Sequence, residues 1–138
     1  MDNKAMERRM RELYSSGDPR ELARQLAGMA SPDLVQEWPQ SGERIRGLDN
    51  VVAVNEHYEG ATGNAPSLTL RRIVPPGAAW IAEGTIDYGD GTPVSIVSIL
   101  ETDADGKLIR ETDYFGNPFD APEWRRQWTE QMEPVEGR

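Results

Sequence analysis

Glu111 and Asp113 stand two residues apart in a stretch, residues 107–115, that reads as a β-strand. The side-chain period of two puts both carboxyls and Phe115 on one face, with Arg110 on the other. Two carboxyls beside an aromatic ring are candidates for proton transfer, because burial raises a carboxyl's pKa toward a useful range. Histidine as a residue type changes charge near neutrality, and the single one here, His57, is the natural partner. His57 with Asp113, or with Glu111, is therefore the candidate general acid–base set. A lone helical histidine is more often an ordinary surface or pocket-rim residue with no catalytic role. A second group lies in "VQEWPQSGERIRG", residues 35–47. There Trp38 offers a flat apolar wall with one N–H donor, and Gln40 offers both donor and acceptor. Glu43 follows close behind. The plainer alternative makes Trp38 a core plug and residues 40–42 a turn.

Composition removes several other chemistries. The 138 residues contain no cysteine, so there is no disulfide, thiol nucleophile or cysteine metal site, and one histidine cannot build a histidine-based metal centre. No cofactor motif is present, and no metal or cofactor is expected. "DADG", residues 103–106, has the flavour of a calcium loop but lacks the downstream ligands, so it is read as a β-turn. The formal net charge of −9 argues against nucleic-acid and anionic-membrane partners. The charged start has no apolar leader segment, and a cytoplasmic protein is the expectation.

The elements that must position these residues can be read in order. A helix is expected over 3–15, with Met6, Met10, Leu13 and Tyr14 as its apolar stripe, ended by Gly17. "DPRE" starts a second helix, with Asp18 as N-cap, Pro19 at the first position and Glu21 closing a capping box. A short strand follows over 33–38, stopped by Pro39, and a second short extended piece follows the turn. Asp49 is expected to cap a third helix over 50–59 with Gly60 as its stop. Long strands are expected over 67–74, 78–88, 93–102 and 107–115, separated by turns at 75–77, 89–91 and 103–106. "DAPE", residues 120–123, opens a last helix with Trp124, Trp128 and Met132 along one side. Residues 133–138 read as a frayed tail. Helices first and strands after make a single α+β domain over 1–138, with helices covering one face of a curved sheet. "VSIVSIL" is apolar on both faces, which points to a homodimer through the outer face of the sheet.

Three segments, "EWPQSGERIRGLDNVVAVNEHY", "DADGKLIRETDYF" and "PFDAPEWRRQW", make the chain resemble the nuclear transport factor two-like superfamily, and within it the SnoaL-like domains of uncharacterised bacterial members. The resemblance covers nearly the whole length. It implies a cone-shaped half-barrel, a strongly curved mixed or antiparallel sheet packed against three N-terminal helices around a pocket, with a short C-terminal helix. Against the ketosteroid isomerase branch, the base falls on Trp38, the oxyanion-hole tyrosine near Met10 and the protonated aspartate near Ser98. None of these three can do the isomerase's work in the same way. The same alignment places Trp80, Ala82, Gly84, Ile86 and Tyr88 on the inner face of one strand. It sets His57 where the isomerases keep an aromatic pocket residue, with Tyr58 next to it. Small Ala82 and Gly84 leave room for a cavity, although Gly84 also fits a sharp bend in the sheet.

The expected ligand is small and apolar or amphipathic. The candidate wall residues are Trp38, Gln40, Tyr58, Trp80, Ala82, Gly84, Ile86, Tyr88, Ser98, Phe115 and Met10, and the candidate catalytic residues are His57, Asp113 and Glu111. Two functions are open: an isomerase, cyclase or hydratase working by metal-free proton transfer, or a ligand-binding module with no chemistry. One scaffold hosts both.

Overall fold

The computed structural model describes residues 3–41, 43–74 and 79–132. The expected turn at 75–77, Gly42 and the tail at 133–138 lie outside the described residues. Two helices, α1 (Asn3–Tyr14) and α2 (Pro19–Ala27), precede the strand β1 (Ala30–Trp38) and its short neighbour β2 (Glu43–Arg46). The helix α3 (Leu48–Thr62) then leads into β3 (Ser67–Val74), β4 (Trp80–Asp87), β5 (Pro93–Thr102) and β6 (Leu108–Gly116). The six strands form one sheet in the order β2-β1-β6-β5-β4-β3. Every neighbouring pair is antiparallel except β1 with β6, which is parallel. The sheet is mixed, curved and unclosed, and the helices pack on its inner face, the α+β arrangement expected.

Local chemistry explains most element ends. Asp18 caps α2 by accepting from the Arg20 N–H at 2.9 Å, and Pro19 takes the first helical position. Glu21 closes no capping box; its carboxylate is held by Arg24 and Gln25. The helix α3 starts two residues earlier than expected, behind Gly47, so Asp49 lies inside the first turn, where it complements the helix dipole. It also runs through Gly60 and stops at Gly63, whose φ of 76° supplies the left-handed cap. The strand β1 begins at Ala30, ahead of Pro32, because residues 31–34 fall in a register shift with no regular ladder to interrupt. The β4–β5 turn is held by Asp87, which accepts from the Gly89 and Gly91 N–H groups.

The short closing helix is present, but its type and cap differ from expectation. Residues Glu123–Trp128 form only a 3₁₀ turn with no side-chain cap, and Trp124, Trp128 and Met132 are 71%, 73% and 66% exposed. Their spacing is helical, but the described residues leave all three largely exposed.

The core sits between the helices and the inner sheet face. Leu13 and Leu100 are fully enclosed there, with Met10, Leu34, Leu70, Ile73 and Trp80 around them. Along β4 burial alternates strictly, with Trp80, Ala82, Gly84 and Ile86 inward. Gly84 is required by a close approach rather than by an open space. A Cβ there would lie 2.2 Å from the Thr69 carbonyl oxygen, opposite the bulge between Leu70 and Arg72 that bends β3.

Candidate active site

The inner face of β6 carries Glu111 and Asp113, and the ladder registers decide what meets them. Gln36 of β1 is the partner of Glu111, and Ser98 of β5 is the partner of Asp113. Trp38 lies two residues beyond Gln36 on the same face. From these positions the Gln36 Nε2 donates to both carboxyls, to Asp113 at 3.1 Å. The Ser98 hydroxyl donates to Asp113 Oδ1 at 2.6 Å and the Trp38 indole N–H to Asp113 Oδ2 at 3.2 Å. Gln36, Ser98, Glu111 and Asp113 are all buried.

Two acids packed this way cannot both ionise cheaply. Burial, and then the negative charge of Asp113, hold the Glu111 carboxyl well above the usual range. Burial also raises Asp113, against the donors Ser98, Glu111 and Trp38, which favour its charged form. Glu111 is thus the proton-holding member, donating to an Asp113 that keeps the charge. Outside this pair, on the opposite face, Arg110 is engaged by Glu37 and Glu101 and brings no cation inward.

The pair opens onto a cavity of about 440 Å³. One wall comes from Tyr14 of α1, from Leu22 and Leu26 of α2, and from Val51, Val54, Asn55 and Tyr58 of α3. The other comes from the inner sheet face. Trp38 meets Phe115 edge to face, with centroids 6.4 Å apart, and Tyr58 tilts against Tyr88 at 5.5 Å. Burial, first, and then the neighbouring Tyr58 push the Tyr88 phenol up to about 12. Tyr14 is buried and raised further, by burial and then by the charges of Glu111 and Asp113, which places its ring close to the pair. Its hydroxyl has no hydrogen-bond partner among the described residues. Among the described residues no group of three or more His, Cys, Asp and Glu could hold a metal ion.

Of the residues picked from sequence, Trp38, Tyr58, Ala82, Gly84, Ile86, Tyr88, Ser98, Glu111, Asp113 and Phe115 line the cavity. Four do not. His57 is exposed, with Nδ1 2.7 Å from the Ala53 carbonyl oxygen. The residues of α3 that face the cavity are 48, 51, 54, 55 and 58, and position 57 turns to solvent, so no His57–carboxylate pair forms. Gln40 is exposed because Pro39 has already ended β1 and carried the chain into a turn. Glu43, weighed with it, is exposed too. Met10 and Trp80 are buried at 4% and 5% but belong to the core below the cavity. Tyr14, one helical turn beyond Met10, is the α1 residue that reaches the cavity. Gln36 was missed as well, although it shares the face of Trp38 by simple alternation.

No protein-family profile and no curated protein sequence matches the chain. Solved structures do. An NTF-2 like protein of unknown function from Burkholderia xenovorans LB400 is 35% identical over 88% of this chain and 90% of that one, with a TM-score of 0.72. A Kribbella flavida DSM 17836 protein with a provisional ketosteroid isomerase name is 23% identical, covers 99% and 96%, and gives a TM-score of 0.77. A provisionally named isomerase of the SnoaL-like family from Agrobacterium tumefaciens str. C58 is 12% identical, covers 71% and 80%, and gives 0.55. The last two share the fold. The Burkholderia likeness, at 35% identity over most of both chains, establishes that this chain belongs to the NTF2-like superfamily.

Proposed function

We propose that this protein is a small-molecule enzyme of the isomerase, cyclase or hydratase kind, passing a proton between the Glu111–Asp113 pair and a mostly apolar substrate. The observation that carries the reading is the pair itself: two hydrogen-bonded carboxyls, buried in a cavity with mainly apolar walls, with no cationic side chain beside them among the described residues. Burial of uncompensated acids costs stability, so such pairs concentrate where chemistry needs them. Glu111 supplies a proton to a substrate oxygen, and the unpartnered Tyr14 hydroxyl is a second donor close by. Asp113, fixed by Ser98 and Trp38, takes the proton from the adjacent carbon. Neutral donors of this sort stabilise a developing oxyanion strongly where water is excluded.

Binding without turnover is a second reading with its own support. Asp113 already accepts from Ser98, Trp38 and Gln36, a set that suits a fixed charge. Solvent exchange separates the two. A panel of small cyclic ketones is incubated with the protein in D₂O, and loss of α-protons is followed by NMR. Catalysed exchange is expected, falling by about 10²–10⁴-fold in Glu111→Gln and Asp113→Asn and unchanged in His57→Ala. Exchange that survives both carboxyl substitutions removes the proposed roles. Pairing of two copies through the outer sheet face belongs to the same reading. It is supported by half-exposed Ile81, Val97 and Ile99 and by Tyr114, 49% exposed, on that face.

A further inference from the structure

We infer that the cavity takes a small organic cation, an amine whose protonated nitrogen sits at the Glu111–Asp113 end and whose hydrocarbon body fills the aromatic-walled remainder. The inference rests on reading the cavity as the functional site, and it adds the charge of what binds there.

Charge bookkeeping around the cavity comes first. Four charged residues line it: Arg20, Glu83, Glu111 and Asp113. Arg20 is neutralised by Glu59 at 2.6 Å and Asp18 at 3.5 Å. Glu83 is neutralised by Arg71 at 2.8 Å and Arg72 at 2.9 Å. Glu111 and Asp113 have no Arg, Lys or His partner among the described residues, and only neutral groups hold them. One proton between two carboxyls leaves one negative charge, and no counter-charge among the described residues meets it in a largely apolar space. A cation from outside supplies it; an anion would add a like charge where screening is weak.

Hydrogen bonding points the same way. The Gln36 side chain is 6% exposed and lines the cavity, and its Nε2 is committed to the two carboxyls. Its Oε1 is buried with no hydrogen-bond partner among the described residues. A buried carbonyl oxygen without a donor is costly, and an ammonium N–H is the kind of group that would satisfy it. The walls agree. The pairs Trp38–Phe115 and Tyr58–Tyr88 border the cavity, and their rings offer the hydrocarbon body apolar surface to bury. The net charge of −9 also draws cations toward the molecule before they bind.

Three probes of one shape test it: 1-adamantylammonium, 1-adamantanol and 1-adamantanecarboxylate, titrated calorimetrically into the intact protein at pH 8. An alkylammonium with a pKa near that of lysine, about 10.4, is charged there. The ammonium is expected to bind at least tenfold more tightly than the alcohol, with the carboxylate weakest. The double variant Glu111→Gln/Asp113→Asn, nearly equal in shape and free of charge, is expected to bring the ammonium to the level of the alcohol. Should that variant not fold, the ranking of the three probes on the wild type still decides. The alcohol or carboxylate binding as tightly as the ammonium would overturn the inference and leave the cavity standing as a site for neutral substrates. Failure of all three to bind would remove both readings.

Discussion

Glu111→Gln is expected to leave the fold intact and to change how its stability depends on pH. The substitution keeps the shape of the side chain. Its amide oxygen can still accept from the Gln36 Nε2, and its amide N–H can donate to Asp113 as the Glu111 proton does now. What it removes is the titration. The Glu111 carboxyl is raised well above its ordinary value of 4.5 in the folded chain, and returns to that value on unfolding. The native state therefore holds one proton more than the unfolded state in the window that opens at about pH 4.5 and closes at the raised native value. Stability falls as pH rises through that window, because the unfolded chain gives up a proton that the native chain must keep. One such proton is worth about 1.4 kcal/mol for every pH unit.

Urea unfolding of both proteins, followed by far-ultraviolet circular dichroism at pH 5.5, 6.5 and 7.5, measures this directly. The series begins above the isoelectric point of about 4.6, where low net charge would favour association. The stability of the variant relative to the wild type is expected to increase with pH, at a rate approaching 1.4 kcal/mol per unit while the native carboxyl stays protonated. Parallel curves, with a difference constant to within about 0.5 kcal/mol, would mean that Glu111 titrates as an ordinary exposed acid. The proton-holding role would then be wrong.

Two further substitutions test the frame of the site. Ser98→Ala removes the 2.6 Å hydrogen bond to Asp113, and a lost bond to a charged group costs about 1.5–3 kcal/mol. Because Ser98 favours ionised Asp113, its removal pushes that already raised pKa higher, so the loss seen in urea melts should be larger at pH 8 than at pH 5.5. An equal loss at both values would show that Asp113 does not carry the charge. Gly84→Ala drives a Cβ to 2.2 Å from the Thr69 carbonyl oxygen, a backbone atom that cannot step aside. Overpacking of this kind costs about 1–3 kcal/mol or more. Gly116→Ala, whose nearest neighbour would be the Ser95 Cβ at 4.0 Å, is the control, and equal stability of the two would refute the close approach.

What could be read from the chain depended on whether a local signal had a single geometric answer. Strands have a period of two, so Glu111, Asp113 and Phe115 had to share a face, and Trp80 to Ile86 had to alternate. The Asp-Gly and Gly-Asp-Gly turns fixed the hairpins, because only glycine takes the positive φ seen at Gly89, Gly91 and Gly106 without strain. The helix α3 had no such answer. Its Val51-Val52-Ala53-Val54 run is apolar all round, so no stripe told Tyr58 from His57, and one residue of phase is a rotation of about 100°. Cavity-facing Tyr58 and solvent-facing His57 are that rotation made visible. Gln36 shows a different barrier. A glutamine in a strand carries no mark of burial, and its place became visible only when the parallel β1–β6 pairing set it opposite Glu111. That pairing joins segments 75 residues apart, and the loop-closure entropy it must overcome leaves no trace in either segment. The carboxyls were legible because they sit within one strand. What turns them into a pair sharing one proton comes from two other elements, Gln36 and Trp38 on β1 and Ser98 on β5, and only the assembled sheet brings those together. The chemistry of this site is therefore a property of register: a slip of one residue between β1 and β6 would turn Gln36 and Trp38 to the outer face, strip Asp113 of two donors and leave a bare buried charge.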